Sequence, residues 1–177
     1  MTSIYRGAWG EKNPKEFPVS SAEATEIGDL MYWDAASQVA RPFSSTSAWT
    51  GTTAGTQGKV AENFIGLARS AFAVGDTHAL VRIEGRGVFR NPVTTAATFE
   101  VGDLVTASKN PAGNVLYAQQ IDKGAVGVAP MYEPTILARS LAIGRIAKRA
   151  PVAVSIIEWE IMGTREPGGS IRNYLTS

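Results

Sequence analysis

Residues 26–34, "EIGDLMYWD", and residues 100–107, "EVGDLVTA", decide the fold. Each writes Glu, a β-branched residue, Gly, Asp and Leu ahead of an apolar run. Two acids gathered in one cleft would mean chemistry, whereas a bend written twice would mean architecture. Gly supplies a backbone dihedral that other residues resist, and Asp hydrogen-bonds its own turn. Leu30 and Leu104 then re-enter the core. Gly28, Asp29, Gly102 and Asp103 are therefore expected as turn residues. A paired-carboxylate site would need both acids in one cleft with separated pKa values, and nothing in the sequence supports that.

Around these bends the signals are those of strands. "LMYWD" alternates, with Met31 and Trp33 on one face and Leu30 and Tyr32 on the other. "HALVRIEGRGVFR" sets Ala79, Val81 and Ile83 against Arg82 and Glu84, a half-buried strand. "SIIEWEIM" turns Ile157, Trp159 and Ile161 inward and Glu158 and Glu160 outward. Just before it, "PVAVSII" is apolar on both faces, as in a barrel or sandwich interior. Turns fall at residues 34–37, 75–76 and 110–114. Helix is scarce: one turn around Lys59–Asn63 and another between Thr135 and Leu141. Residues 44–58, "SSTSAWTGTTAGTQG", are too polar and too rich in Gly and Thr to pack, and read as a loop.

The duplication outlasts the bends. Ile65-Gly66-Leu67-Ala68 answers Ile143-Gly144-Arg145-Ile146-Ala147, and each is followed by a long strand. Each half runs bend, hairpin, excursion, Gly-interrupted strand, long strand. The expected fold is all-β: a small barrel with an internal two-fold repeat, half-repeats at about 22–90 and 96–162. An extended N-terminal arm (1–21) and a C-terminal tail (164–177) flank the domain at 22–163. Polar ends containing Gly and Pro order when something outside the domain holds them.

The 177 residues suffice for one domain with a real core. A net charge of +1 gives no strong pull toward nucleic acid or an acidic membrane. The chain has no cysteine, which excludes disulfides and thiolate zinc sites. No run approaches the ~18 apolar residues of a membrane span, and the N-terminus lacks a signal peptide's apolar middle.

Catalytic signatures are weak. The single histidine, His78, stands at a strand edge, where a solvated or locally bonded role outweighs that of a general base. One His without Cys or spaced carboxylates makes no zinc site. "EGRGVF" has Gly85 and Gly87 but no following helix, so it is not a dinucleotide loop. Arg145, Lys148 and Arg149 are too few for a nucleic-acid patch. No catalytic residue, cofactor or metal ligand is therefore assigned. Trp33 and Trp159 belong to strand patterns, while Trp9 and Trp49 lie in an arm and a loop, as interface anchors do.

The order of these features resembles a family of tailed-bacteriophage capsid decoration (cement) proteins. The likeness runs from about Ala22 to Thr164. It is carried by "IGDLMYWDAASQVARP", "FIGLARSAFAVGD", "ALVRIEGRGVFRNPVTTAATFEVGDLVTAS" and "LAIGRIAKRAPVAVSIIEW". The resemblance implies a β-barrel or β-tulip domain that forms homotrimers on the outside of an icosahedral virion. There it would bind and stabilise the shell of major capsid protein, without enzymatic activity, nucleic acid or membrane. An arm that staples capsid subunits is part of the same implication, with Ile4, Tyr5, Trp9 and Phe17 as anchors and Trp49 as a further interface candidate. The long "MYEPTILARSLA" excursion and the loop around Trp49 depart from the family pattern. Two other readings stand beside it. One is a carbohydrate- or ligand-binding module of a phage adhesion structure, using Trp49 and Tyr132. The other is an enzyme on a barrel scaffold, dependent on His78.

Overall fold

The structure, a computed structural model, describes residues 15–77, 80–124 and 140–162. Within these lie ten strands and one α-helix. The first five strands are β1 (Lys15–Pro18), β2 (Leu30–Asp34), β3 (Val39–Pro42), β4 (Phe64–Ala68) and β5 (Leu80–Glu84). The other five are β6 (Val88–Phe99), β7 (Leu104–Asn110), β8 (Val115–Lys123), β9 (Ala142–Ile146) and β10 (Ala150–Ile161). A 3-10 turn (Thr46–Ala48) and helix α1 (Thr53–Glu62) connect β3 to β4. The chain is all-β in class, with two sheets of five strands.

The two sheets are copies of one unit. The first is ordered β1-β5-β4-β2-β3 and the second β6-β10-β9-β7-β8, so each strand has a counterpart in the same place. Register agrees as well as order. Met31 faces Gly66 and Val105 faces Gly144, and each ladder then slips at its next pair, Tyr32 with Phe64 and Thr106 with Ala142. The closing contact also repeats. In the second copy β6 meets β8 in parallel at Val93 and Ile121, which joins its five strands in a ring. In the first copy the same position is a single parallel bridge between Val19 and Ala40. A one-residue slip moves every side chain to the other face, so a shared bulge is strong support for common descent of the halves.

The bends repeat atom for atom. The Asp29 carboxylate accepts from the Glu26 N–H at 2.8 Å, and Asp103 accepts from the Glu100 N–H at 2.9 Å. Gly28 and Gly102 have φ of 94° and 90°, the left-handed region that glycine tolerates. Each bend is also locked to its sheet. Gly28 donates to the Ala68 carbonyl (2.8 Å) and Ala68 donates back to Asp29 (2.9 Å). Likewise Gly102 donates to Ile146 (3.0 Å) and Ile146 to Asp103 (2.8 Å). A third bend, Ala73-Val74-Gly75-Asp76, uses the same capping, with Asp76 accepting from the Ala73 N–H at 3.2 Å.

The copies start one strand earlier than the bends suggest. β1 runs along β5, with Phe17 opposite Val81, as β6 runs along β10, with Asn91 opposite Ile157. The repeated unit is thus 15–84 and 88–161, rather than 22–90 and 96–162. Residues 15–18 of the expected arm are a strand of the domain.

Burial follows the two-faced pattern of β2. Met31 and Trp33 join Phe17, Val19, Ile65, Val81 and Ile83 in one core, inside the first copy. Leu30 and Tyr32 join Phe43, Phe64, Phe89, Phe99, Ile157 and Trp159 in a second core that spans both copies. Two expectations change. Glu84 is buried, because the Arg69 guanidinium meets it at 2.8 Å. "PVAVSII" is interior only at its end: Val152 and Ile156 are 68% and 57% exposed, while Ile157 is buried in the shared core and Val154 packs against it.

The stretch 44–58 also departs from its reading as a loop, since α1 begins inside it at Thr53. The Thr52 side chain caps the Gly55 N–H, supplying an acceptor that a helix start lacks on its own. Val60 and Thr56 are fully buried, and Gln57 donates to the Ala107 carbonyl at 2.6 Å. Packing, more than propensity, holds this Gly- and Thr-rich helix. Thr135–Leu141, where a second turn was expected, lies mostly outside the described residues.

At Gly66 the backbone of β5 lies so close that a Cβ would sit 2.7 Å from the Glu84 carbonyl carbon, and its φ is 128°. Gly51 has φ 95° with open space around it. Gly66→Ala should therefore cost about 3 kcal/mol, and Gly51→Ala about 1 kcal/mol, for its dihedral alone. Equilibrium denaturation of both variants checks this; equal losses would refute the close approach.

Candidate functional site

The acids that opened the sequence reading do not share a partner. Asp29 is buried, and its second oxygen accepts from the Gln119 amide at 2.9 Å. Burial pushes its carboxyl above the ordinary carboxylate value, against the pull of the Glu26 N–H and Gln119. Asp103 instead meets the Lys123 ammonium at 2.6 Å. Each acid is therefore satisfied by its own bend and one neighbour from β8. The Asp29 link continues inward: Asn91 donates to the Gln119 carbonyl and accepts from the Trp159 indole, both at 2.9 Å. This chain of bonds ties the first copy's bend to the core of the second.

The densest polar cluster was not foreseen. Arg41 on β3 donates to Asp34 (2.9 Å), Glu23 (2.8 Å) and Ser20 (2.9 Å), with its side chain largely covered. Glu23 also accepts from Ser45. Burial alone would disfavour the Arg41 cation, but Glu23 and Asp34 outweigh it and raise its pKa. Asp34 is likewise partly desolvated, yet Ser37, Arg41 and the Ala36 N–H hold its carboxyl below the usual range. Next to this cluster, burial pushes the Tyr32 hydroxyl up to about 12. Its residues are scattered from Ser20 to Ser45 without a recognisable spacing, so only the folded chain brings them together.

The interface candidates divide. Phe17 is 4% exposed and packs on Trp33, ring centroids 6.0 Å apart. It is a core residue of its own chain, because β1 is bound to β5, and it is not available as an arm anchor. Trp49 is half-buried, with the Lys109 ammonium 5.9 Å over its ring. Ile4, Tyr5 and Trp9 lie outside the described residues, as do His78 and Tyr132. The basic group is largely paired: Arg149 bonds Glu100 through two nitrogens (2.7 and 3.0 Å), and Arg145 pairs with Glu160. Gly85 and Gly87 line an open cleft of about 210 Å3 with Arg86, Val88, Glu160 and Ile161, where the two copies join. Among the described residues no group of three or more His, Asp or Glu is placed to hold a metal ion.

Some large apolar side chains also reach solvent. The β-branched residues of the three bends, Ile27, Val74 and Val101, are 49–66% exposed, and Val152 and Ile156 join them from β10. A signal for the first three was present in the sequence: one residue type recurs before each Gly-Asp pair, where the corner leaves its side chain nothing to cover. These three stand singly on separate bends, as isolated apolar residues on a protein surface commonly do. No protein-family model, curated protein or solved structure matches this chain.

Removing the cation from this half-buried cluster should be costly. Arg41→Leu leaves Glu23 and Asp34 uncompensated and is expected to lose about 3 kcal/mol in urea denaturation, with Arg41→Lys recovering part. A loss under 1 kcal/mol would show the cluster to be solvent-screened. Asp29 gives a pH test. Its folded pKa is raised above the ordinary aspartate value of 3.8, so folding favours the protonated form. Stability from this group is present below 3.8 and declines as pH rises through the folded value. The stability of wild type relative to Asp29→Asn, from thermal melts, should shrink across that window; a growing difference would contradict a buried carboxyl.

Proposed function

We propose that this chain is a capsid-binding structural protein, a decoration or cement protein seated as a homotrimer on the outer surface of a tailed-bacteriophage head. The observation that carries the reading is where the family-like motifs fall. "IGDLMYWD", "FIGLA", "GVFRNP", "EVGDL" and "LAIGRIA" lie in order on the two copies of one strand unit, at its bends and glycine crossings.

The mechanism is binding alone. A protein that prefers the assembled shell stabilises it by mass action. Linked copies turn several weak contacts into one strong attachment, because the second contact forms at high effective concentration. The arm before β1 adds reach: main-chain pairing with a neighbouring sheet gives affinity and side-chain pockets give selectivity. Phe17 belongs to the core, which leaves Ile4, Tyr5 and Trp9 as the proposed anchors.

The test is cosedimentation of the full chain with expanded shells of the virus's own major capsid protein. Saturable binding and a higher shell-disruption temperature are expected. A chain lacking residues 1–14 should keep its fold by circular dichroism and lose shell binding. Truncated protein that binds as well as full length would overturn the arm's role; a full chain that never binds shells would overturn the function.

A further inference from the structure

The two copies of the unit differ sharply along one path. In the first copy the chain after β1 reaches a bridge between Thr25 and Phe72; in the second, β6 reaches its counterpart, Phe99 opposite Ala150. Between β1 and that bridge the first copy is polar and tied down. Glu23 bonds Arg41 and Ser45, Asp76 caps its own bend, and Gly75 donates to the Ser21 carbonyl at 2.8 Å. The second copy has no charged residue of its own there: "NPVTTAATF" (91–99) and "APVAVSII" (150–157) contain no acid, base or histidine, and the Lys123 ammonium from β8 reaches only the far end, donating to the Thr98 carbonyl at 3.2 Å.

The second copy's path is also longer as strand, more exposed and more weakly paired. β6 and β10 have 12 residues each, against four and five in β1 and β5. Thr94, Thr95, Ala96, Pro151, Val152, Ala153 and Ile156 are all exposed. Between Ala150 and Ile156 the ladder carries a single pair, Val154 with Ala97, and slips on both sides of it. The common fold does not demand this, since the first copy closes without it. Exposed, irregularly paired strand carrying apolar side chains is a surface on which another chain can pack.

We infer that the β6–β10 ribbon is the surface on which copies of this chain meet, with Val152 and Ile156 facing their own equivalents about a rotation axis. Neutrality singles out a second copy as the occupant. At an axis each residue meets itself, so any charge would oppose an identical charge at close range. The end of the ribbon formed by residues 91–99 and 150–157 carries no charged residue and so avoids that penalty, with Arg90, Glu158 and Glu160 confined to its other end. It buries two large β-branched side chains per chain. This gives the contact between copies in the homotrimer proposed above and rests on that reading for the number of copies; the contact itself does not require a shell.

The chain lacks cysteine, so a single introduced thiol reports the contact. Val152→Cys in the full chain, oxidised at micromolar concentration, should give a disulfide-linked dimer on a non-reducing denaturing gel. Val74→Cys, equally exposed on a bend, should not. Sedimentation velocity should show wild type as an oligomer and Val152→Asp/Ile156→Asp as a folded monomer, with Ile27→Asp/Val74→Asp unchanged in mass. A monomeric wild type, a double variant of unchanged mass, or crosslinking equal at both thiols would overturn the ribbon contact. Shell cosedimentation separates the two proposals. Wild type that binds shells without Val152→Cys crosslinking sinks only the ribbon, and crosslinked protein that ignores shells sinks only the capsid reading.

Discussion

Two reciprocal pairs of main-chain hydrogen bonds, Gly28 and Asp29 with Ala68, and Gly102 and Asp103 with Ile146, fix where each bend lies against its sheet. Once a bend is fixed, Leu30 and Leu104 must enter the core and the following strand has one register left. The bulges then place Gly66 and Gly144 under a neighbouring strand, where a Cβ would collide with backbone or with the Trp159 ring. Corner, register and close approach are thus one constraint seen at three points. It acts twice because the unit is present twice.

Duplication leaves each copy free to change where the shared scaffold is indifferent. The two aspartates show this most simply: one became buried against Gln119, the other paired with Lys123 at the surface. The first copy carries a charged knot around Arg41, while the second has the corresponding path exposed and without charged residues of its own. Physical specialisation of this kind is cheap, since a loop or strand end beyond the common ladder carries little of the core's stability. A binding protein needs such surfaces, and the proposals above place them on the second copy and on the arm.

Much of the fold was legible in residue order. Alternation in "LMYWD" separated Met31 and Trp33 from Leu30 and Tyr32, and the structure sends those pairs into different cores. The Gly-Asp pairs carried their turn chemistry openly. Only the end of helix α1 was legible, as a turn around Lys59–Asn63, because Gly55, Gly58 and two threonines dilute its first half; the Thr52 cap and the core beneath Val60 extend it back to Thr53. β1 was hidden because four residues with one buried side chain, Phe17, carry too little period to read. "PVAVSII" misled in the opposite direction, since an apolar strand looks the same whether a core or a partner covers it. The Arg41 cluster joins residues spread over the first half and exists only through folding.

Amide hydrogen exchange, resolved by residue, reaches the central claim most directly. If the bends are clamps of a duplicated scaffold, the amides of Gly28, Ala68, Gly102 and Ile146 should exchange only with the slow opening of the core, all four alike. The exposed turn amides at Ala35 and Gly113 should exchange far faster. Rapid exchange at Gly28 or Gly102, with the rest of the sheets protected, would mean that the corners are loose and that something else sets the register of both halves.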